Sequence, residues 1–510
     1  MNPAATSLDA DATDNAASPH PSVGTPYILM SAAYVLIRVV FFIGTAPSKA
    51  QDTLSYLDVT KLDVLSWDFL AGPRGWTVPL FYKLIGDDQL RIYGQLAISI
   101  SCWLLLAAVT ALILSRRGVS FAGFATILVF SLPSQIVGWD SFLISDSLSL
   151  SLSAALVAAW LWFVWKPTPV GSAGLICMSL LWVFARDTNA LPVLAAGLAA
   201  IAAIGFSRRR RILAITGGGL IVVFVLAVLS MDGGATADQR QAALSGSPLG
   251  ADSFGREPAA YRLPAQQYQL FSDGRWEFPL LNVIGTRILT SPERLNYFRD
   301  HGMPVNPELL SLAGGMAAAK NGAFYRSPKL AAFRSWLQDH GQTTYVRYLL
   351  THPSYTLSPL WHKDAVRTLF FPEVDLADNS YPLDPHEPVQ AVDSALPGFV
   401  SRAILGPSIF GAAFWLLVLV ATLVLVLRRR PTRLWSVPLF LILAAVPSAL
   451  LVWHGDAQDI QRHALGMALL SRLGLVLLCL LALDSPTSSE PIWRRTRPLA
   501  PARPEPSPNP

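Results

Sequence analysis

The chain has 510 residues, 52% of them hydrophobic and only 14% charged, with a mean hydropathy of +0.42 and a formal net charge of +5. That composition is too apolar and too segmented for one soluble core, and it points to a polytopic membrane protein. The cations sit beside apolar runs rather than in one basic domain, which argues against nucleic-acid binding. Cys102, Cys177 and Cys479 all lie inside apolar stretches, so neither an extracellular disulfide framework nor a CxxC metal pair is available.

Taken in order, residues 1–25 form a tail with Asp9, Asp11 and Asp14 and no Lys or Arg, so the first apolar run reads as an uncleaved span rather than a signal peptide. A hydrocarbon core needs roughly 20 apolar residues per helix, and about ten such runs follow. They are Pro26 to Thr45, Ile92 to Ser115, Phe121 to Val137, Leu148 to Trp165, Val170 to Ala185, Ala190 to Phe206 and Ile212 to Met231, then Ala403 to Leu427, Leu434 to Trp453 and Leu465 to Leu483. The expected organisation is an all-α protein: a tail (1–25), a seven-helix module (26–231), a long segment (232–402), three more spans (403–483) and a Pro-rich tail (484–510). Within the long segment, residues 232–264 read as an irregular tether. "SPERLNYFRDHG" and "SPKLAAFRSWLQDHG" then repeat one helix grammar, a Ser cap, Pro at the first turn and a Gly stop at Gly302 and Gly341.

Short loops retain Lys and Arg on the cytoplasmic side. Arg116, Arg117, Lys166, Arg208 to Arg211, Arg428 to Arg430, Arg433, Arg494, Arg495 and Arg497 all fall on one side if the spans alternate, which makes that side and both termini cytoplasmic. The composition suits a bacterial inner membrane. The opposite side receives loops 46–91 and 138–147, the turn at Arg186, the long segment and "HGDAQDIQRH". The first of these loops reads as two juxtamembrane elements, a helix-compatible run from Leu54 to Leu70 and "WTVPLFYKLIG", with "AGPRG" as the break between them. Together they could roof a pocket with Asp52 at its entrance.

Polar groups therefore concentrate in outer loops: "QDTLSYLDV" with Asp52 and Tyr56, "GWDSFLISDSLSLS" with Trp139, Asp140 and Asp146, "WVFARDTN" with Arg186, "LLTHPSYTL" with His352, and "DIQRHAL" with Arg462 and His463. A carboxylate in such a loop can act as a general base, and Arg or His can hold an anionic group such as a phosphate. Carboxylates at 52, 140 and 146 suit the first task, and Arg186, Arg462, His463 and the intramembrane Arg472 suit the second; Tyr56, Trp139 and His352 are candidate pocket or acceptor residues. Each also has a plainer role. Asp52 and Asp146 suit helix N-termini, His352 precedes Pro353 at a helix end, and Arg38 and Arg472 must face the bundle interior or a wet cavity whatever they do.

This arrangement resembles the GT-C superfamily of polyprenyl-phosphate-sugar-dependent membrane glycosyltransferases, including the protein O-mannosyltransferase and aminoarabinose transferase branches. The likeness covers Met30 to Met231 best and the remainder by layout, and Asp52 is followed by Thr53 rather than by the second acid of a strict Asp-Glu pair. It implies a carboxylate in the first outer loop acting as general base, a polyprenyl-phosphate sugar as donor, and a glycan, lipid or protein hydroxyl as acceptor. Some relatives use a divalent cation, but no HExxH or DxD spacing occurs in these loops, so no metal and no cofactor are expected; with no Walker or GxGxxG turn, no nucleotide is either. A transporter or lipid flippase has a similar hydropathy profile, but would place its polar groups near the bilayer midplane in repeated halves. A non-catalytic envelope scaffold would depend on the long segment and not on Asp52.

Overall fold

The computed structural model describes residues 24–202, 209–231, 274–372, 396, 398–406 and 408–486. The two tails and the tether therefore lie largely or wholly outside the described residues. Among those described, helices are joined by turns and loops, and strand pairing is limited to one isolated parallel bridge between Ser48 and Phe142.

Among the described residues, seven helices are long and apolar enough to cross a membrane: Thr25–Phe42, Asp88–Ile113, Ser145–Trp165, Arg210–Ser230, Ile409–Arg428, Arg433–Gly455 and Ile460–Asp484. A bent pair, Arg117–Phe130 with Ser134–Ser141, turns by 63°, and two shorter apolar helices cover Pro169–Val183 and Asp187–Ala202. Over their described residues the apolar runs read from the sequence are mainly helical, and the protein is an all-α polytopic membrane protein. The chain opens with α1 (Thr25–Phe42), α2 (Gln51–Val59), α3 (Trp67–Leu70), α4 (Thr77–Leu84), α5 (Asp88–Ile113), α6 (Arg117–Phe130), α7 (Ser134–Val137), α8 (Ser145–Trp165), α9 (Pro169–Val183), α10 (Ala190–Ala202) and α11 (Arg210–Ser230). In α1 the buried residues are Tyr27, Tyr34, Arg38 and Phe42, at the spacing of one helix face, while Ile28, Leu29 and Leu36 point outward. Helix α8 is buried continuously from Ser145 to Ala158 and forms the centre of the bundle.

The described part of the long segment, 274–372, folds around an apolar core of Phe278, Phe298, Leu309, Phe324, Phe333 and Trp336. Its helices are α12 (Glu277–Val283), α13 (Pro292–Asp300), α14 (Pro307–Leu310), α15 (Ala319–Arg326), α16 (Ala331–Trp336), α17 (Gln342–Thr351), α18 (Pro353–Leu357) and α19 (Lys363–Phe370). Ser291 caps α13 by accepting from the Arg294 amide, and Gly302 supplies the left-handed residue (φ 87°) that stops it. Gly341 does not stop its helix as expected: after α16 the backbone widens into a π turn at Leu337–Gly341 and runs on through α17. The remaining helices are α20 (Gly398–Leu405), α21 (Ile409–Arg428), α22 (Ser436–Gly455) and α23 (Ile460–Asp484).

The two ends of the bundle differ in charge. At one end the cationic turns are tied together: Asp484 accepts from the Ser115 and Arg116 amides, Arg429 donates to the Ser485 carbonyl and Arg433 to that of Trp165. At the other end the loops after α1, α7 and α9 meet the long segment and the turn between α22 and α23.

Candidate functional site: an arginine–carboxylate cluster

Four separate loops build the cluster, and local chemistry explains how each arrives. The chain after α1 runs beside the one after α7, with the Ser48 amide donating to the Ser141 carbonyl (2.8 Å) and the Leu143 amide to that of Ser48 (2.9 Å). Thr53 Oγ1 accepts from the Ala50 amide and donates to the Leu143 carbonyl (2.8 Å), which fixes the start of α2 and sets Asp52 beside the start of α8. Asp52 and Asp146 both lie in the first turn of their helices, where the positive end of the backbone dipole favours an anion.

The stretch 74–77 docks on the end of α9. Gly75 lies so close to Phe184 that a Cβ there would come within 2.3 Å of its carbonyl oxygen, while Trp76 stacks on the Phe184 ring and Thr77 Oγ1 donates to the Leu181 carbonyl (2.9 Å). This brings Arg74 towards Arg186, which follows α9. Trp182 Nε1 and Asn189 Nδ2 donate to the Ser149 carbonyl and hydroxyl, which anchors that turn to α8.

The fourth contribution is the start of α23, where Asp459 takes a left-handed conformation (φ 51°) and leads into Arg462 and His463. Cations in a first turn oppose the helix dipole, and two carboxylates offset that. Arg462 Nε donates to Asp146 Oδ2 and Nη1 to Asp52 Oδ2, both at 2.9 Å, so one guanidinium bridges the two acids. Arg74 Nη2 takes the other oxygen of Asp52 (2.7 Å), and Arg186 Nη1 the other oxygen of Asp146 (2.6 Å). All four carboxylate oxygens are therefore bonded to guanidinium. Arg186 Nη2 also meets His463 Nδ1 at 3.1 Å; a guanidinium only donates, so Nδ1 is the acceptor. Tyr56 lies beneath Arg74, its ring centroid 5.0 Å from the guanidinium carbon, and Arg74 Nε donates to Ser55.

The cluster is buried, with Asp146 at 1%, Arg462 at 5% and Asp52 at 9% exposure. Burial alone pushes the Asp52 carboxyl up, but the charges of Arg74 and Arg462 outweigh it and hold the group well below the usual carboxylate range. Burial raises Tyr56 and also Asp459, whose carboxylate stands 3.7 Å from Arg462. One helical turn deeper, Trp182 and Met467 belong to the lining of an apolar cavity between α8, α9, α10, α22 and α23, together with Leu156, Trp160, Val193 and Phe440.

No known protein family and no curated protein matches the sequence. Two solved structures share part of the chain's course. Both are archaeal oligosaccharyltransferases. The first is AglB from Archaeoglobus fulgidus in complex with an inhibitory peptide and a dolichol-phosphate, at a TM-score of 0.42 and 14% identity over 89% of this chain. The second is the Archaeoglobus fulgidus oligosaccharyltransferase in the apo form, at a TM-score of 0.41 and 13% identity over the same share. This chain spans half the length of each.

Of the residues singled out from the sequence, Asp52, Asp146, Arg186, Arg462, His463 and Tyr56 come together. Asp140 stands apart: a 3-10 turn directs its carboxylate to Arg38, with Ser147 on the other oxygen, and Arg38 is further held by Tyr34 and Ser99. That pair answers the need of the intramembrane Arg38 for a partner and braces α1 against α5 and α8. Trp139 is wholly buried against Phe142 and acts as core. His352 ends α17 in the long segment, stacked on Tyr348.

Arg472 also lies outside the cluster. It donates to the carbonyls of Phe370 and Leu405, the last residues of α19 and α20, with the Phe371 and Trp415 rings beside it. Two helix C-terminal dipoles supply its compensating charge. Arg74 was not among the expected residues; the signal for it was an Arg flanked by Gly72, Pro73 and Gly75 between two apolar elements.

The cluster does not fit a divalent cation. Such an ion needs several free oxygen ligands, whereas Asp52 and Asp146 have every oxygen engaged by a guanidinium. Among the described residues no three His, Cys, Asp or Glu side chains converge as a metal site.

Proposed function

We propose that the protein is an integral membrane glycosyltransferase that moves a sugar from a polyprenyl-phosphate donor to a hydroxyl acceptor at the membrane surface. The observation that carries this reading is the convergence of Arg74, Arg186 and Arg462 with Asp52 and Asp146 directly above an apolar cavity between the spans. A lipid-borne phosphate needs cations at the height of its head group and apolar surroundings for its tail, and the guanidiniums with the apolar cavity near them support that reading. The cationic opposite end of the bundle supports an extracytoplasmic site.

In this reading Arg462, Arg74 and Arg186 together supply the cations that hold the donor phosphate. The bond between the anomeric carbon and the phosphate oxygen breaks, its electron pair goes to the phosphate, and the guanidiniums stabilise the charge that develops there. The acceptor oxygen attacks the anomeric carbon as this gains oxocarbenium character, and its proton passes to the Asp52 carboxylate. Burial of the cluster beneath α2 and the 74–77 turn keeps water from competing as acceptor.

The test is turnover of a panel of radiolabelled polyprenyl-phosphate sugars by purified, reconstituted protein with envelope extract as acceptor, comparing wild type with Asp52→Asn. Release from one donor by wild type, lost in a folded variant, supports the assignment. No release from any donor, with transport of a lipid-linked glycan across the proteoliposome membrane instead, would favour a flippase.

A further inference from the structure

The cluster poses a difficulty for its own chemistry, because a carboxylate gripped by two guanidiniums is a poor proton acceptor. Oδ1 of Asp52 takes Arg74 at 2.7 Å and Oδ2 takes Arg462 at 2.9 Å, so the two cations straddle it as they would straddle two oxygens of a phosphate. The same guanidiniums cannot hold Asp52 in this way and also close on a donor phosphate.

We propose that Asp52 is a placeholder for the donor phosphate: it occupies Arg74 and Arg462 in the resting site, and the incoming phosphate displaces it, releasing the carboxylate towards the acceptor. This rests on the function proposed above and adds to it a means by which donor binding switches the base on.

Three observations single out Asp52 rather than Asp146 as the displaced acid. Asp146 is 1% exposed, sits in the first turn of the central span α8 and is held by Arg186 and Arg462 together, whereas the Asp52 side chain is 11% exposed. Asp52 is carried on the nine-residue α2, which is not one of the spans. Arg74 precedes the docked Gly75, and its second bond, to Ser55, lies on α2 as well, so the two side chains can change partners without moving a span. The charge count agrees. Arg74, Arg186 and Arg462 face Asp52 and Asp146 at bonding distance, with Asp459 at 3.7 Å and His463 accepting from Arg186, so an added phosphate is accommodated best if one carboxylate gives up its cations. An Asp52 so released gains affinity for a proton.

The experiment measures binding of farnesyl methyl phosphate, a phosphodiester with one charge throughout the pH range used, to full-length wild type, Asp52→Asn and Arg462→Met in detergent. Removing the competing carboxylate is expected to tighten binding in Asp52→Asn by roughly tenfold, the equivalent of one charge-assisted hydrogen bond, while Arg462→Met binds more weakly than wild type. Calorimetry of wild type in two buffers of different ionisation enthalpy should show proton uptake on binding that grows as the pH is lowered towards about 5 and is absent from Asp52→Asn. The wild-type half of this readout needs no folded variant. Binding by wild type without proton uptake, or equal or weaker binding by a folded Asp52→Asn, overturns the exchange and leaves the donor reading standing. No binding by any of the three proteins overturns the donor reading, and the exchange with it.

Discussion

Replacing Arg462 by methionine is the sharpest perturbation of the cluster. The side chain is 5% exposed and bridges both acids, one bond to each at 2.9 Å, with Asp459 farther off at 3.7 Å. Removing one partner of a buried ion pair costs about 3–5 kcal/mol, because a charge is left uncompensated. Here Asp52 keeps Arg74 and Asp146 keeps Arg186, so the cost falls at the lower end, about 3 kcal/mol, and the protein should remain folded with a lowered thermal midpoint. Turnover should fall further than stability suggests. Losing one preorganised donor to a developing anion costs about 10²–10³ in rate. Arg462→Lys keeps the charge but cannot bridge two carboxylates with a planar fork, so it should lie between wild type and Arg462→Met in both measurements. The assay pairs thermal unfolding in detergent with donor turnover in proteoliposomes. A folded Arg462→Met that turns over donor within about threefold of wild type would refute the phosphate-clamp assignment.

Three other outcomes are expected. Because Arg74 and Arg462 hold Asp52 well below its ordinary range in the resting site, kcat/KM should show no acid limb from Asp52 down to about pH 5, whereas kcat, which reports the donor complex, should show one that disappears in Asp52→Asn together with the residual activity. Burial raises Asp456, between α22 and α23, from 3.8 to about 6. The folded protein therefore binds more protons than the unfolded chain between those values, and the charged group costs stability as the pH rises through them. Asp456→Asn should raise the thermal midpoint at about pH 7.5 and lose that advantage at about pH 4; an equal gain at both would refute the linkage. Finally, turnover should persist through exhaustive chelation with EDTA, since Asp146 keeps its guanidinium partners and leaves Asp52 as the one freed carboxylate; loss of activity restored by a divalent ion would overturn that reading.

How far the cluster could be read in advance depended on where each residue's partner lay. The spans were legible because a run such as Leu148 to Trp165 announces itself by length and hydropathy. Asp52, Arg186 and Arg462 stood out as charges at the ends of such runs. Their pairing did not, since Arg462 and Asp52 are 410 residues apart and no local pattern encodes that contact. Asp140 and Asp146 looked alike in "GWDSFLISDS", yet a 3-10 turn sends the first to Arg38 and a helix start sends the second to Arg186 and Arg462. Arg74 read as an ordinary loop cation because its fixing depends on Gly75 fitting against Phe184. Arg472 read as a phosphate ligand because α19 belongs to a segment that seemed wholly external, whereas its last turn packs beside α23 and offers the arginine a carbonyl.

The two arginines of α23 also bear on how the protein is made. An arginine at the centre of a span costs about 2.5–3.5 kcal/mol to insert on translocon scales, and Arg472 lies within an apolar run of that helix, with Arg462 nearer its start. Every bonded partner described for the two outside α23 comes earlier in the chain: Asp52 and Asp146 for Arg462, and the carbonyls of Phe370 and Leu405 for Arg472. By the time α23 is synthesised, the groups that neutralise it have already been made. The helix behaves as a keystone, locking loops that would otherwise lack a common centre, so its insertion and the assembly of the site are one event.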